Sequence, residues 1–365
     1  MAWDVAVELQ HQGHEVSVLA AQASYTSSAG VSSAADKSFK VKRVRELVGG
    51  RFMRWSCFWM QTLFALSSRR WDRCLLLTDP PFLPFAAWLT CFFRTSRQRV
   101  YWWTMDIYPE ALVAAGMLPS GGFFNRCLRQ LNELGLRKMG GVVALGPRQL
   151  QRLQTYRQWP SLPFFFKVVP PWDFRPLPKV ELSANRVLDR LGCQGKKVAL
   201  YTGNLGEGHL FDPFVAAASW FHQRGRTDWQ FVFVVRGSGR YRLEAETSGL
   251  PNFQVCDYFP ESETAALLWS ATVHLVTMKP GWEGVIVPSK LYGALQTNAP
   301  VLFLGPLTAD TATEIQRMGR GIALPPTASS EDVARALDKL TDPASLCEPH
   351  LNKEAPRQVA EFITQ

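Results

Sequence analysis

A chain of 365 residues exceeds the roughly 100 to 200 residues of one domain, so two domains of similar size are expected. Hydrophobic residues make up 47% and charged residues 19%, with 13 Trp and 23 Phe. That profile excludes disordered, collagen-like and coiled-coil classes. The net charge of +9 and pI near 9.3 favour an anionic partner, whether lipid, nucleotide diphosphate or nucleic acid.

In chain order, residues 1–14 read as a helix with apolar Val5, Val7 and Leu9, closed by Gly13 and followed by a strand over residues 15–20. A doubly wound domain ordinarily begins one strand and one Gly-rich turn earlier. The first strand is therefore expected to be missing, through a misassigned start or because the chain is a fragment. A Ser/Ala-rich loop at 24–35 precedes a basic stretch: Lys37, Lys40, Lys42, Arg43, Arg45, Arg51, Arg54, Arg69, Arg70 and Arg73. Further arginines at 94, 97 and 99 flank an apolar run at 81–93, which is too short to cross a bilayer. Either a buried helix with solvated flanks or a face that docks on anionic lipid accounts for it. Strands are expected at 74–77, 100–104, 142–145 and 167–169, alternating with helical patterns and so implying a parallel sheet.

Pro170, Pro171, Pro176 and Pro178 make a stiff connection. The alternation restarts at 199–202, 231–235, 253–256, 273–277, 301–304 and 322–324. The expected fold is α/β: two Rossmann-like, doubly wound parallel-sheet domains whose carboxyl edges face a cleft, the first domain lacking its first strand. The domains are expected at 1–172 and 173–349, with a helix over 350–365 returning to the first. Seven scattered cysteines without CxxC spacing and no opening signal peptide point to a reducing, cytoplasmic setting.

Three loops carry candidate chemistry. Tyr201-Thr-Gly-Asn-Leu-Gly-Glu-Gly-His209 runs from a strand into a helix, and its glycines let backbone amides approach a phosphate; a simple tight connection is the bland alternative. Arg236-Gly-Ser-Gly-Arg240 lines a nucleotide pocket or is a turn with surface arginines. In Lys279-Pro-Gly-Trp-Glu-Gly-Val-Ile-Val-Pro-Ser-Lys-Leu-Tyr-Gly293, Ser289 and Lys290 open a helix. A cation there opposes the helix dipole unless an anion shares the site; the alternative is that Lys290 snorkels into solvent. His274, on an apolar strand, reads as a core histidine.

The order of these segments resembles bacterial family 4 glycosyltransferases of the GT-B fold, especially those of exopolysaccharide, colanic-acid and O-antigen synthesis. The resemblance runs through residues 5–19, Leu75-Leu-Leu-Thr-Asp-Pro-Pro-Phe82, Asp106-Ile-Tyr-Pro-Glu-Ala-Leu112, Val142-Val-Ala-Leu-Gly-Pro147, residues 201–212 and residues 273–300, nearly the whole chain. It implies a retaining hexosyl transfer from a nucleotide-diphosphate sugar, its co-substrate in place of any cofactor, to a glycan or polyprenyl-linked acceptor. By this resemblance Glu283 is the first acid of the family's glutamate pair, bonded to hydroxyls of the donor sugar. The position of the second, which grips the ribose, holds Gly293. The family's diphosphate-binding arginine and lysine fall on Asn204 and His209, leaving Lys290 as the best cation, with His209 acting protonated or as a neutral donor. Gly203, Asn204, His209, Arg236, Gly237, Glu283, Gly284, Ser289 and Lys290 form the expected donor site, with Glu283 and Asp106 as the catalytic candidates. Asp106 is expected to engage and deprotonate the acceptor hydroxyl, a surface helix cap being its alternative.

No Asp-x-Asp, HExxH, CxxC or GxxxxGK[ST] occurs, so metal-independent handling of the leaving group is expected. A catalytically inactive, truncated or degenerate nucleotide-sugar binder and a GT-B sugar-nucleotide epimerase remain as rivals. No nucleic-acid recognition module is visible. The expected location is cytoplasmic, with peripheral docking on the inner face of the plasma membrane as the extension that the basic stretch suggests.

Overall fold

The computed structural model describes residues 1–21, 39–44, 51–68, 70–95, 97–156, 165–173, 177–181 and 185–365. The 24–35 loop, Lys37, Arg45, Arg69, Pro176 and the side chains of Arg51 and Arg54 lie outside that description. The chain divides into two compact units, residues 1–170 with 353–365, and residues 171–352.

In the first unit the helix Ala2–His11 leads into β1 (Ser17–Ala21), which pairs in parallel with β2 (Lys40–Val44). The second ladder is β3 (Arg73–Leu76), β4 (Arg99–Thr104), β5 (Gly141–Ala144) and β6 (Phe165–Val168), parallel and in sequence order. Among the described residues the two ladders are not hydrogen-bonded to each other. In a doubly wound sheet of order 3-2-1-4-5-6 the first strand would stand between two such ladders, which is the strand expected to be missing. The expectation omitted β2, because its apolar Val41 and Val44 are interleaved with Lys40, Lys42 and Arg43 and the segment reads as a charge run.

β4 and β5 are buried along nearly their whole length, as a sheet covered on both faces requires. On one face Trp102, Leu76 and Val142 meet Leu66, Ala86, Ala87 and Leu136 of the covering helices. Elsewhere in the sheet Phe362 of the final helix, Ala355–Thr364, sets its ring edge-on to Tyr101 at 5.8 Å.

The second unit holds one parallel six-stranded sheet: β7 (Lys197–Asn204), β8 (Trp229–Arg236), β9 (Phe253–Cys256), β10 (Val273–Thr277), β11 (Val301–Leu304) and β12 (Gly321–Leu324). Its order is β12-β11-β10-β7-β8-β9, the doubly wound arrangement with its switch point between β7 and β10. Register opposes Tyr201 to Phe233 and Phe231 to Phe253. Their rings stack across neighbouring strands at 5.0 and 5.9 Å, and such pairs add to what burial alone contributes. The covering helix Ser330–Lys339 starts from a capping box between Ser329 and Asp332.

One contact in the first unit tolerates no added atom. Gly135, in the helix Phe123–Leu136, lies so close to the helix Leu83–Leu89 that a Cβ would stand 2.3 Å from the Pro84 carbonyl group. Gly135→Ala is expected to destabilise the protein by about 1–3 kcal/mol through overpacking. Gly249→Ala, where a Cβ meets nothing within 4 Å, should stay within about 0.5 kcal/mol of wild type; denaturant unfolding of both variants checks this.

Candidate donor site at the switch point

The loops that leave β7 and β10 diverge at the switch point, where open α/β sheets take their ligands. They are latched together. Lys279 donates its backbone N–H to the Gly208 carbonyl at 2.8 Å, and Leu210 N–H reaches Thr277 Oγ1 at 3.1 Å. A Cβ on Gly208 would stand 2.9–3.1 Å from Ile286 and Trp282, so glycine there lets the 278–286 loop close over the β7 loop. Gly284 is buried with φ of 70°, a conformation that an L side chain would strain. Glu283 is half-buried beside it and bridges to Ile286 within the same loop.

Lys290 is the centre of the arrangement. It opens the five-residue helix Lys290–Ala294 with Ser289 as N-cap, and the exposed Ser289 side chain makes no cap bond. A helix of barely one turn has little macrodipole, so it does little to oppose a cation at its start or to attract an anion there. The placement of the Lys290 side chain matters more. That side chain does not run out to solvent but folds back over β7, where Gly203, at φ of 121°, leaves room for it: a Cβ there would lie 2.8 Å from Lys290 Cε. The ammonium sits 5.4 Å from the centre of the Tyr201 ring and 3.0 Å from His209 Nε2. No carboxylate pairs with it among the described residues. Burial pushes its pKa down to about 8.

His209 serves that lysine. Its Nδ1 lies 3.2 Å from the Thr277 carbonyl oxygen, which takes the proton on that nitrogen and leaves Nε2 to accept from Lys290. Burial, then the Lys290 charge, drive its pKa down to about 3. The ring is therefore neutral at working pH, and neither role expected for it is available: the protonated one is disfavoured by desolvation and by the neighbouring ammonium, and as a neutral ring its one N–H already goes to Thr277 while Nε2 accepts from Lys290. Sequence reasoning did not single out Thr277, whose carbonyl and hydroxyl organise the loop; its only signal was its place at the end of a strand.

The turn after β8 adjoins this loop. Leu205 N–H donates to the Arg236 carbonyl at 2.7 Å and Gly239 N–H to the Leu205 carbonyl at 3.0 Å. A Cβ on Gly237, whose φ is 112°, would fall 2.3 Å from Asn204 Oδ1, so Asn204 and Gly237 interlock. Arg236 stacks over Tyr258 at 4.6 Å, and Arg240 is held by Glu244 and Asp257. His274 lies apart from the site, buried and bonded to Thr297 Oγ1 at 2.9 Å.

Asp106 belongs to the first unit and follows β4. Thr78 Oγ1 accepts the backbone N–H of both Met105 and Asp106, at 3.1 and 3.2 Å. Gln149 Nε2 donates to the Met105 carbonyl at 3.1 Å. The Asp106 side chain is exposed, yet crowding by surrounding protein and the nearby Asp79 raise its pKa. It caps no helix, since the next one begins at Glu110 behind Pro109 without a side-chain cap. Glu110 is structural: buried, ion-paired with Arg129 at 2.7 Å and hydrogen-bonded by Tyr156 at 3.0 Å.

No family model matches the chain. In sequence it is 24% identical over 278 residues to a protein of Escherichia coli (strain K12) provisionally named the colanic acid biosynthesis glycosyl transferase WcaI, covering 73% of this chain and 65% of that one. It is 25% identical over 244 residues to WbjE of Pseudomonas aeruginosa, provisionally named a glycosyltransferase, covering 65% and 58%. The chain thus spans less than two thirds of the length of these relatives. Among solved structures it is similar to WaaG, a glycosyltransferase of lipopolysaccharide biosynthesis, with a TM-score of 0.71 and 17% identity over 99% of this chain and 94% of that one. It is also similar to Anabaena HepE in complex with UDP and glucose, with a TM-score of 0.66 and 12% identity over 100% and 92%. The fold is therefore that of the GT-B glycosyltransferases, and the curated sequences that the chain resembles bear glycosyltransferase names.

Proposed function

We propose that the protein is a glycosyltransferase that takes a hexosyl unit from a nucleotide-diphosphate sugar and passes it to a lipid-linked or polysaccharide acceptor in cell-surface glycan synthesis. The observation that carries this reading is Lys290: a desolvated ammonium, without a carboxylate partner among the described residues, held at the switch point beside Gly203. A diphosphate compensates such a charge. In this reading Lys290 and the amides around Gly203, Asn204, Gly237 and Gly284 receive the diphosphate without metal, and Ser289 and Arg236 flank it. Glu283 accepts hydroxyls of the donor sugar, and His209 positions Lys290. Asp106, with its raised pKa, engages the acceptor hydroxyl, and transfer retains the anomeric configuration.

Asn204, His209 and Gly293 in place of charged residues favour one second reading, a homologue that binds nucleotide sugars without turning them over. Product formation separates the two. With UDP-, GDP-, ADP- and dTDP-sugars screened against glycan and polyprenyl acceptors, one donor class should give product. Asp106→Asn should lower the rate by about 10²–10⁴-fold while leaving donor binding intact. Binding without product in wild type would establish the second reading.

The lysine's titration supplies a further test. Its folded-state pKa of about 8 lies below the ordinary 10.5, so burying the charge costs stability at every pH below about 8, and the cost fades as pH rises from there to 10.5. Lys290→Met is expected to melt higher than wild type at neutral pH, with the difference shrinking above pH 8. The same variant should lose nucleotide-diphosphate binding, which in wild type should weaken as pH passes 8.

Peripheral membrane association is part of this reading. The first unit carries 23 basic against 12 acidic side chains, and the second 17 against 19. No Asp or Glu occurs from Arg51 to Trp71 or from Pro80 to Met105. The most exposed aromatic rings of the first unit include Phe64, Phe92, Phe123 and Phe124, a combination suited to an anionic bilayer surface. No helix among the described residues is long and apolar enough to cross a membrane. The protein should float with vesicles of one third phosphatidylglycerol and be released by salt, and Phe92→Ser with Phe123→Ser should weaken this. Equal association with pure phosphatidylcholine would contradict it.

A further inference from the structure

The Pro-rich connection contributes an acid that the site described so far does not use. Asp173 belongs to the second unit and is half-buried. Among the described residues no hydrogen bond or ion pair engages its carboxylate. Its Oδ2 lies 3.7 Å from the point where a Cβ on Gly293 would stand. A glutamate's own carboxylate oxygens sit about 3.5 Å from its Cβ, given ordinary bond lengths. The Asp173 oxygen therefore lies at the range that a glutamate at position 293 would reach.

Glycine is not forced on position 293. Its backbone is not left-handed, and the nearest atoms to an added Cβ, Asp173 Oδ2 at 3.7 Å and Leu268 at 3.9 Å, are ordinary contacts. A side chain would fit; a second carboxylate would not be welcome, because it would meet Asp173 with like charge. Gly293 also stands three residues after Lys290, and residues so spaced share a helix face, with Cβ atoms about 5–6 Å apart. One face thus offers an ammonium without a carboxylate partner and, a turn further on, an unengaged carboxylate. A nucleotide likewise presents a 5′-diphosphate and, beside it, the vicinal hydroxyls of the same ribose.

We propose that Asp173, reaching over Gly293 from the connecting segment, accepts hydrogen bonds from both ribose hydroxyls of the nucleotide whose diphosphate meets Lys290. A carboxylate has two oxygens and no proton to donate, and a vicinal diol presents two O–H donors, so the match is bidentate and charge-assisted. The inference deepens the donor-site reading above and rests on it.

The test is a swap read by nucleotide binding. UDP, GDP and ADP, each beside its 2′,3′-dideoxy counterpart, are titrated against wild type, Asp173→Asn, Gly293→Glu and the double variant, with melting temperatures recorded for all four. Wild type should prefer one ribonucleotide over its dideoxy form by roughly ten- to a hundredfold, the range for hydrogen bonds to a charged group. Asp173→Asn should lose most of that preference, and Gly293→Glu should weaken binding by crowding two carboxylates. The double variant should recover the preference, with the acid now carried by position 293. If Asp173→Asn does not fold, the comparison of Gly293→Glu with Gly293→Gln, both of which keep Asp173, still reads the contact: the charged variant alone should weaken binding by like-charge crowding, and equal binding by the two overturns the proposal. Full preference retained in Asp173→Asn, or no recovery in the double variant, overturns the proposal while leaving the donor site standing. No binding of any nucleotide by folded wild type overturns both.

Discussion

A parallel sheet whose order reverses between β7 and β10 sends the connections from these two strands in opposite directions, and nothing regular then covers their carboxyl ends. Everything proposed for the second unit depends on that divergence. The β7 loop and the 278–286 loop close the gap against each other through Gly208, Lys279 and Thr277. The side chain of Lys290 can enter it only because residue 203 has no Cβ. The backbone freedom of glycine is used here for close approach as much as for an unusual φ.

The electrostatics follow from that packing. In the resembling family the fixed positive charge is expected on the loop after the first strand of the nucleotide domain, at positions that here hold Asn204 and His209. In this chain the cation comes from the opposite side of the switch point, on the segment after β10, and crosses to meet the neutral His209 ring. The lysine is left with a desolvation cost, visible in its depressed pKa, that no carboxylate among the described residues offsets. A bound anion would offset it, which is why a feature unfavourable to the empty protein is the best argument for a ligand.

The first unit is built differently. Its parallel strands form two ladders, and its helix layer presents arginines and exposed aromatic rings with long stretches free of acids. Asp106 stands at the carboxyl edge of the second ladder, fixed by Thr78 and Gln149 rather than by a helix cap. Basic charge and apolar exposure thus concentrate in the unit that carries the acceptor-side candidate, while the second unit is close to neutral.

The sequence alone determined the alternation of apolar strands with helices, hence two parallel-sheet units, and it picked out the glycine loops and Lys290, because periodicity and turn chemistry are local properties. It missed β2, whose valines sit between lysines and arginines, and it could not distinguish a solvent-directed Lys290 from one folded over Gly203. Only the tertiary structure decided that His209 is a neutral support, that Thr277 organises the loop and that the Asp173 carboxylate lies within reach of Gly293. Each of these joins residues far apart in the chain: 81 positions separate Lys290 from His209 and 68 separate His209 from Thr277. The protonation state of a histidine depends on how far burial and a neighbouring charge disfavour its cation, and both are consequences of packing that no local pattern encodes.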